Sequence, residues 1–102
     1  MAVVGFAKTL SLEYGKFGIT ANTMGPGFHE TAALERLFRK KSEQEGIDIE
    51  KARLKSLESI PVGALGKAED FASLAAWLLS PLSAFVTGQV FFLEGGTLRA
   101  SL

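Results

Sequence analysis

The residues best placed to do chemistry lie in one tract, Gly18 to Thr31, with the sequence GITANTMGPGFHET. Proline fixes its own φ, and glycine permits backbone conformations closed to other residues. Gly25-Pro26-Gly27 can therefore turn the chain sharply and let backbone amides approach a ligand. Thr31 stands where a helix would open, with a hydroxyl able to cap that helix or to bond a ligand. A strand ending in such a corner, with a helix after it, is where open α/β sheets bind nucleotides. The helix N-terminus adds a preference for anionic or amide-bearing groups. His29 is the only histidine. It and Glu30 form a conceivable acid–base pair, although sequence neighbours need not face each other, and the expectation is a ring that is solvent-exposed or in contact with residues 32–59. One histidine and no cysteine leave no His-pair or thiolate metal site. Nothing matches a nucleophile elbow or a P-loop.

The elements around this tract follow from hydrophobic spacing. Val3, Val4, Ala7, Leu10 and Tyr14 fall on one helical stripe, and Gly15-Lys16-Phe17-Gly18 stops that helix. A buried strand is expected over Ile19 to Met24. Residues 32–59 carry most of the charge, with narrow apolar stripes at Leu34, Leu37 and Phe38 and at Leu54 and Leu57. Gly46 and Asp48 should split this region into two helices, and mixed-sign charge at helical spacing is the mark of a solvated face. Glu69 and Asp70 open another helix, where carboxylates favour the helix dipole. Its stripe is Phe71, Leu74, Ala75, Leu78 and Leu79, and Ser80-Pro81 ends it. Trp77 lies off that stripe, as a second core contact or an interface residue. Val90-Phe91-Phe92-Leu93 is apolar on both faces, as in a strand covered on both sides of a parallel sheet. The tail, Thr97 to Leu102, carries no motif.

With 102 residues the chain suits one domain, and 47% hydrophobic content is that of a globular protein. A formal net charge of +0 gives no electrostatic reason to expect nucleic acid or an anionic membrane as a partner. No stretch approaches the roughly 18 apolar residues of a membrane-spanning helix. With no cysteine and no secretory signal, a cytoplasmic location is expected.

The tract closely resembles the segment of short-chain dehydrogenase/reductases in which a strand ends in Asn-x-x-x-Pro-Gly and a threonine follows. Here those positions are Asn22, Pro26, Gly27 and Thr31. Gly66-x-x-Glu69-Asp70, Val86-Thr87-Gly88-Gln89 and Glu94-Gly95-Gly96 extend the resemblance over almost the whole chain. Glu94 replaces the family's usual aspartate, and Ala64 stands where arginine is common. The resemblance, closest to 3-oxoacyl-acyl-carrier-protein reductases, implies an α/β fold. It would be the C-terminal part of a Rossmann-type doubly wound domain, with two parallel strands and about four helices. Residues 1–102 would form a single partial domain, with 32–59 as a helical substrate lid. It also implies NAD or NADP as cofactor, with Pro26, Gly27 and the Phe28 backbone lining the nicotinamide end. Thr31 would bond the carboxamide or a phosphate. The structural alternative is that Pro-Gly turns the chain and Thr31 caps a helix.

In that family a tyrosine exchanges a proton while hydride moves to or from the nicotinamide, and a lysine lowers the tyrosine's pKa. Tyr14 is the only tyrosine and Gly18 stands four positions on, so these residues hold no Tyr-x-x-x-Lys pair. They hold no glycine-rich dinucleotide loop either. The expectation is a truncated relative, inactive alone and binding no cofactor by itself. Its uncovered strand edge and helix faces would drive homo-oligomerisation or pairing with a separate chain supplying the N-terminal half. The alternative is a non-catalytic, self-associating or small-ligand-binding α/β module.

Overall fold

The computed structural model describes residues 1–98, so the last four residues of the tail lie outside it. Among the described residues, four α-helices and two parallel strands form in the order α1 (Ala2–Tyr14), β1 (Thr23–Pro26), α2 (Ala32–Glu45), α3 (Ile49–Glu58), α4 (Ala68–Leu78) and β2 (Val90–Leu93). That is the expected α/β inventory. Two compact units divide the chain. One comprises Met1–Gly25 with Glu69–Leu93, and the other Pro26–Ala68 with the segment from Glu94 onward. No helix among the described residues is long and apolar enough to cross a membrane.

In the first unit, α1 runs into a 3-10 turn, Gly15–Phe17, and closes at Gly18, whose φ of 76° is open to glycine at little cost. Its buried residues are Ala7 and Ser11, while Val3 and Tyr14 of the expected stripe are exposed. The reason is the turn at Gly88, where an added Cβ would stand 2.6 Å from Ser11 Oγ and 3.2 Å from Lys8 Cδ. Small residues on both sides let helix and turn touch, and that contact fixes which face of α1 is covered.

The strand lies further along the chain than expected, at Thr23–Pro26 rather than Ile19 to Met24. Its pairing is set from the side by Asn22 and Thr87. The Asn22 amide donates to the Val86 carbonyl (3.0 Å), and its oxygen accepts from the Gln89 N–H (3.1 Å). Thr87 Oγ1 accepts from the Ala21 N–H, and the Gly88 N–H donates to the Ala21 carbonyl. The ladder continues with the Thr23 N–H on the Gln89 carbonyl. These polar groups occupy what would otherwise be the start of the strand. Gly25 does not use left-handed backbone freedom. A Cβ there would stand 2.8 Å from the half-exposed Phe92 ring, so a side chain at this position would have to displace the ring.

Asn22→Ala removes two hydrogen bonds, each worth about 0.5–1.5 kcal/mol net, so a loss of about 2 kcal/mol is expected in a denaturant titration. An unchanged midpoint would mean that the strand register is held elsewhere.

α4 has Phe71, Leu74, Ala75 and Leu78 half-buried, whereas Leu79 projects into solvent beyond the helix end. Ser83, buried, points its hydroxyl at the Leu78 carbonyl (2.9 Å), satisfying one of the carbonyls a helix end leaves open. Trp77 is more than a third exposed.

In the second unit, Thr31 and Gly46 bound α2 as expected. The Thr31 hydroxyl oxygen accepts from the Leu34 N–H (3.1 Å), and Gly46 takes a φ of 65° with its N–H on the Ser42 carbonyl. Asp48 sits at the N-cap position of α3. The two helices pack through Leu34, Phe38 and Ala52, all buried. Arg53 reinforces the pair. It forms an ion pair with Glu35, and its guanidinium carbon lies 5.5 Å from the Phe38 ring centroid. Ile60 packs against Gly95, and the Val62 N–H donates to the Gly95 carbonyl.

Candidate active site: the Pro-Gly segment

Pro26, Gly27, Phe28 and Thr31, the four residues singled out in the sequence, line one concavity of about 330 Å³ in the second unit. His29, Leu34 and Leu37 line it too. The backbone after Gly27 does not turn away freely. His29 forms a parallel bridge with Gly66, through the Glu30 N–H on the Gly66 carbonyl (2.8 Å) and the Gly66 N–H on the Phe28 carbonyl (2.9 Å). Two backbone bonds fix the path of residues 28–30, which pre-organises the wall of the concavity.

His29 is half-buried on the Gly66 turn rather than solvent-exposed. A Cβ at Gly66 would stand 2.6 Å from the imidazole, so the ring lies directly over the glycine. Its Nδ1 is 3.1 Å from the Gly27 carbonyl oxygen. A carbonyl can only accept, so Nδ1 carries the proton in this arrangement. The ring thereby ties Gly27 to the turn at Gly66. Sequence reasoning placed His29 near the site without this role, because the signal lies in Gly66, far away in the chain.

Thr31 serves its helix in the structure: its oxygen accepts the Leu34 N–H, and its own backbone is extended, with φ −141°. This leaves the hydroxyl hydrogen able to donate outward. Thr31→Ala should destabilise α2 by about 1 kcal/mol through loss of the cap, with Thr31→Ser close to the parent. Amide exchange across the first turn of α2 measures it, and equal protection in the Ala variant would refute the capping role.

Pro26, Phe28, Leu34 and Leu37 give the concavity hydrocarbon walls, and the Thr31 hydroxyl at its edge can donate a hydrogen bond. Nothing in these residues provides the glycine-rich turn that holds the pyrophosphate. Among the described residues no group of three or more His, Cys, Asp or Glu side chains could hold a metal ion.

Residues 1–97 match the family model described as enoyl-(acyl carrier protein) reductase. A probable 2,4-dienoyl-CoA reductase of Bacillus subtilis is 35% identical over 96 residues, which cover 92% of this chain and 34% of the relative. The 3-oxoacyl-[acyl-carrier-protein] reductase FabG of Vibrio cholerae is 36% identical over 94 residues, 92% of this chain and 34% of that protein. A solved short chain dehydrogenase family protein from Francisella tularensis superposes with a TM-score of 0.86 at 29% identity, over 94% of this chain and 40% of that one. The chain thus spans about a third of the length of the curated relatives it matches. Nearly every described residue falls within the matched region, and on that basis the chain belongs to the short-chain dehydrogenase/reductase family.

Proposed function

We propose that these 102 residues supply the nicotinamide end and the substrate lid of an NAD(P)-dependent oxidoreductase of the 3-oxoacyl reductase type, as one partial Rossmann-type domain. They do not turn over substrate by themselves. The observation that carries this reading is the convergence of Pro26, Gly27, Phe28 and Thr31 on one concavity. The family's members use NAD or NADP, and that cofactor, when bound, supplies or accepts the hydride. This chain's part is to seat the nicotinamide on Pro26, Gly27 and the Phe28 backbone, with Thr31 donating to its carboxamide. Residues 32–59, which hold α2 and α3, cover the substrate. The proton-transferring tyrosine and its lysine would come from outside these residues.

A graft tests it. The chain replaces the 94-residue segment it matches in the Vibrio cholerae reductase, and reduction of a 3-oxoacyl thioester by NADPH is followed at 340 nm. The graft is expected to turn over and the isolated chain not to. A folded graft without activity, or turnover by the isolated chain, would sink the proposal.

A second reading has its own support: self-association without chemistry. Phe6, Leu12, Leu79, Leu82 and Phe85 of the first unit are large, apolar and open to solvent, and each strand of a two-stranded sheet keeps an unpaired edge. Copies of the chain, or a separate chain supplying the N-terminal half, would cover these surfaces in the cytoplasm. Neither nucleic acid nor a membrane is needed. Sedimentation equilibrium is expected to show a mass that rises with concentration; a folded single subunit at every concentration would exclude it.

A further inference from the structure

The peptide joining Gly27 to Phe28 carries two polar groups, the Gly27 carbonyl and the Phe28 N–H, and the fold engages only the first. His29 Nδ1 lies 3.1 Å from the Gly27 oxygen and donates to it. The Phe28 N–H donates to no group among the described residues, although Gly27 and Phe28 both line the concavity. We infer that His29 is a positioning residue for the nicotinamide. By holding the Gly27 carbonyl, its ring aims the Phe28 N–H at the carboxamide oxygen of the cofactor. This inference rests on the reading of the concavity as the nicotinamide end.

A trans peptide is planar, so its C=O and N–H point in opposite directions within one plane. Fixing the carbonyl therefore fixes the amide. The ring that does so is itself held. The Gly66 N–H binds the Phe28 carbonyl and the Gly66 carbonyl binds the Glu30 N–H, which anchors the backbone on both sides of His29. The imidazole lies against Gly66, where an added Cβ would stand 2.6 Å from Cδ2 and Nε2. Gly66 does not use the left-handed region, so its smallness serves the ring and not the backbone. A carboxamide oxygen has two lone pairs, and the Phe28 N–H and the Thr31 hydroxyl can serve it together. A donor already fixed in direction loses little freedom when the cofactor arrives, which strengthens binding.

The full chain gives the first test. In the neutral ring, a long-range ¹H–¹⁵N spectrum should find the proton on Nδ1. A proton on Nε2 alone overturns the inference, because Nδ1 cannot then donate to Gly27. The second test uses the chain grafted into the Vibrio cholerae reductase, read as KM for NADPH, KM for the 3-oxoacyl thioester and kcat. His29→Phe keeps a flat ring over Gly66 and removes the donor. It should raise the KM for NADPH about fivefold, the scale of one hydrogen bond, with the thioester KM unmoved. His29→Asn, whose side-chain amide can place an N–H near the position of Nδ1, should recover most of that loss. Gly66→Ala pushes the ring from its place and should raise the same KM to a similar extent. Thionicotinamide NADPH, whose sulfur is a weak acceptor, should cost the parent graft more than the His29→Phe graft; equal costs would mean a role confined to folding. An NADPH KM unmoved by His29→Phe or by Gly66→Ala in an active graft overturns this inference alone. A folded graft without activity overturns it together with the nicotinamide reading.

Discussion

Phe38→Ala is expected to unfold the helix pair of the second unit. Phe38 is 1% exposed, the largest fully buried hydrophobic side chain among the described residues, and truncating such a ring costs about 3–5 kcal/mol. The loss also strips Arg53 of the aromatic face beneath its guanidinium, leaving the Arg53–Glu35 pair without its packing. Whole domains are stable by only about 5–15 kcal/mol, and small ones sit at the low end. The substitution therefore takes most of what holds α2 to α3. Hydrogen exchange at the α2 and α3 amides measures the effect, and Phe38→Leu should recover the greater part. Undiminished protection in the Ala variant would mean that the ring is not the centre of this packing.

Gly88→Ala should be nearly as damaging in the first unit. Its φ of 70° is strained for any residue with a Cβ, and the new methyl would stand 2.6 Å from Ser11 Oγ. Lys8 can swing away; buried Ser11 cannot, so helix and turn must part. Separation also breaks the 2.7 Å bond from the Gly88 N–H to the Ala21 carbonyl. The combined loss is about 2–4 kcal/mol. The two causes can be resolved in a double-mutant cycle. Ser11→Ala should relieve the steric part in the Gly88→Ala background and leave the backbone strain. A chemical denaturation midpoint unmoved by Gly88→Ala would contradict both.

What the amino-acid sequence disclosed, and what it hid, divides along the range of the interactions. Helix ends are local events. Thr31, Gly46 and Gly18 mark their caps by side-chain chemistry or by positive φ, and each lies where it was expected. The strand start was not legible. Ile19 to Thr20 look like strand, but Asn22 bonds to Val86 and Gln89, more than sixty residues on, and that distant contact decides where pairing begins. Gly25 was misread for the same reason: a turn former by local rules, it is a space left for Phe92. The exposure of Tyr14 and burial of Ser11 depend likewise on Gly88. At the site, the grouping of Pro26, Gly27, Phe28 and Thr31 followed from their nearness in sequence. The clamp by His29 did not, since it needs Gly66.

The two bonds joining Phe28 and Glu30 to Gly66 mean that the chain departs and returns at a single anchorage. Everything between is an excursion whose ends are already clasped. Closing a longer loop costs only about 0.6 kcal/mol for each doubling of its length. The α2–α3 stretch can therefore be exchanged like a cassette, longer, shorter or rewritten, while the anchorage keeps the Pro-Gly wall in place. Diversity of what is recognised can accumulate there without disturbing the frame that presents it.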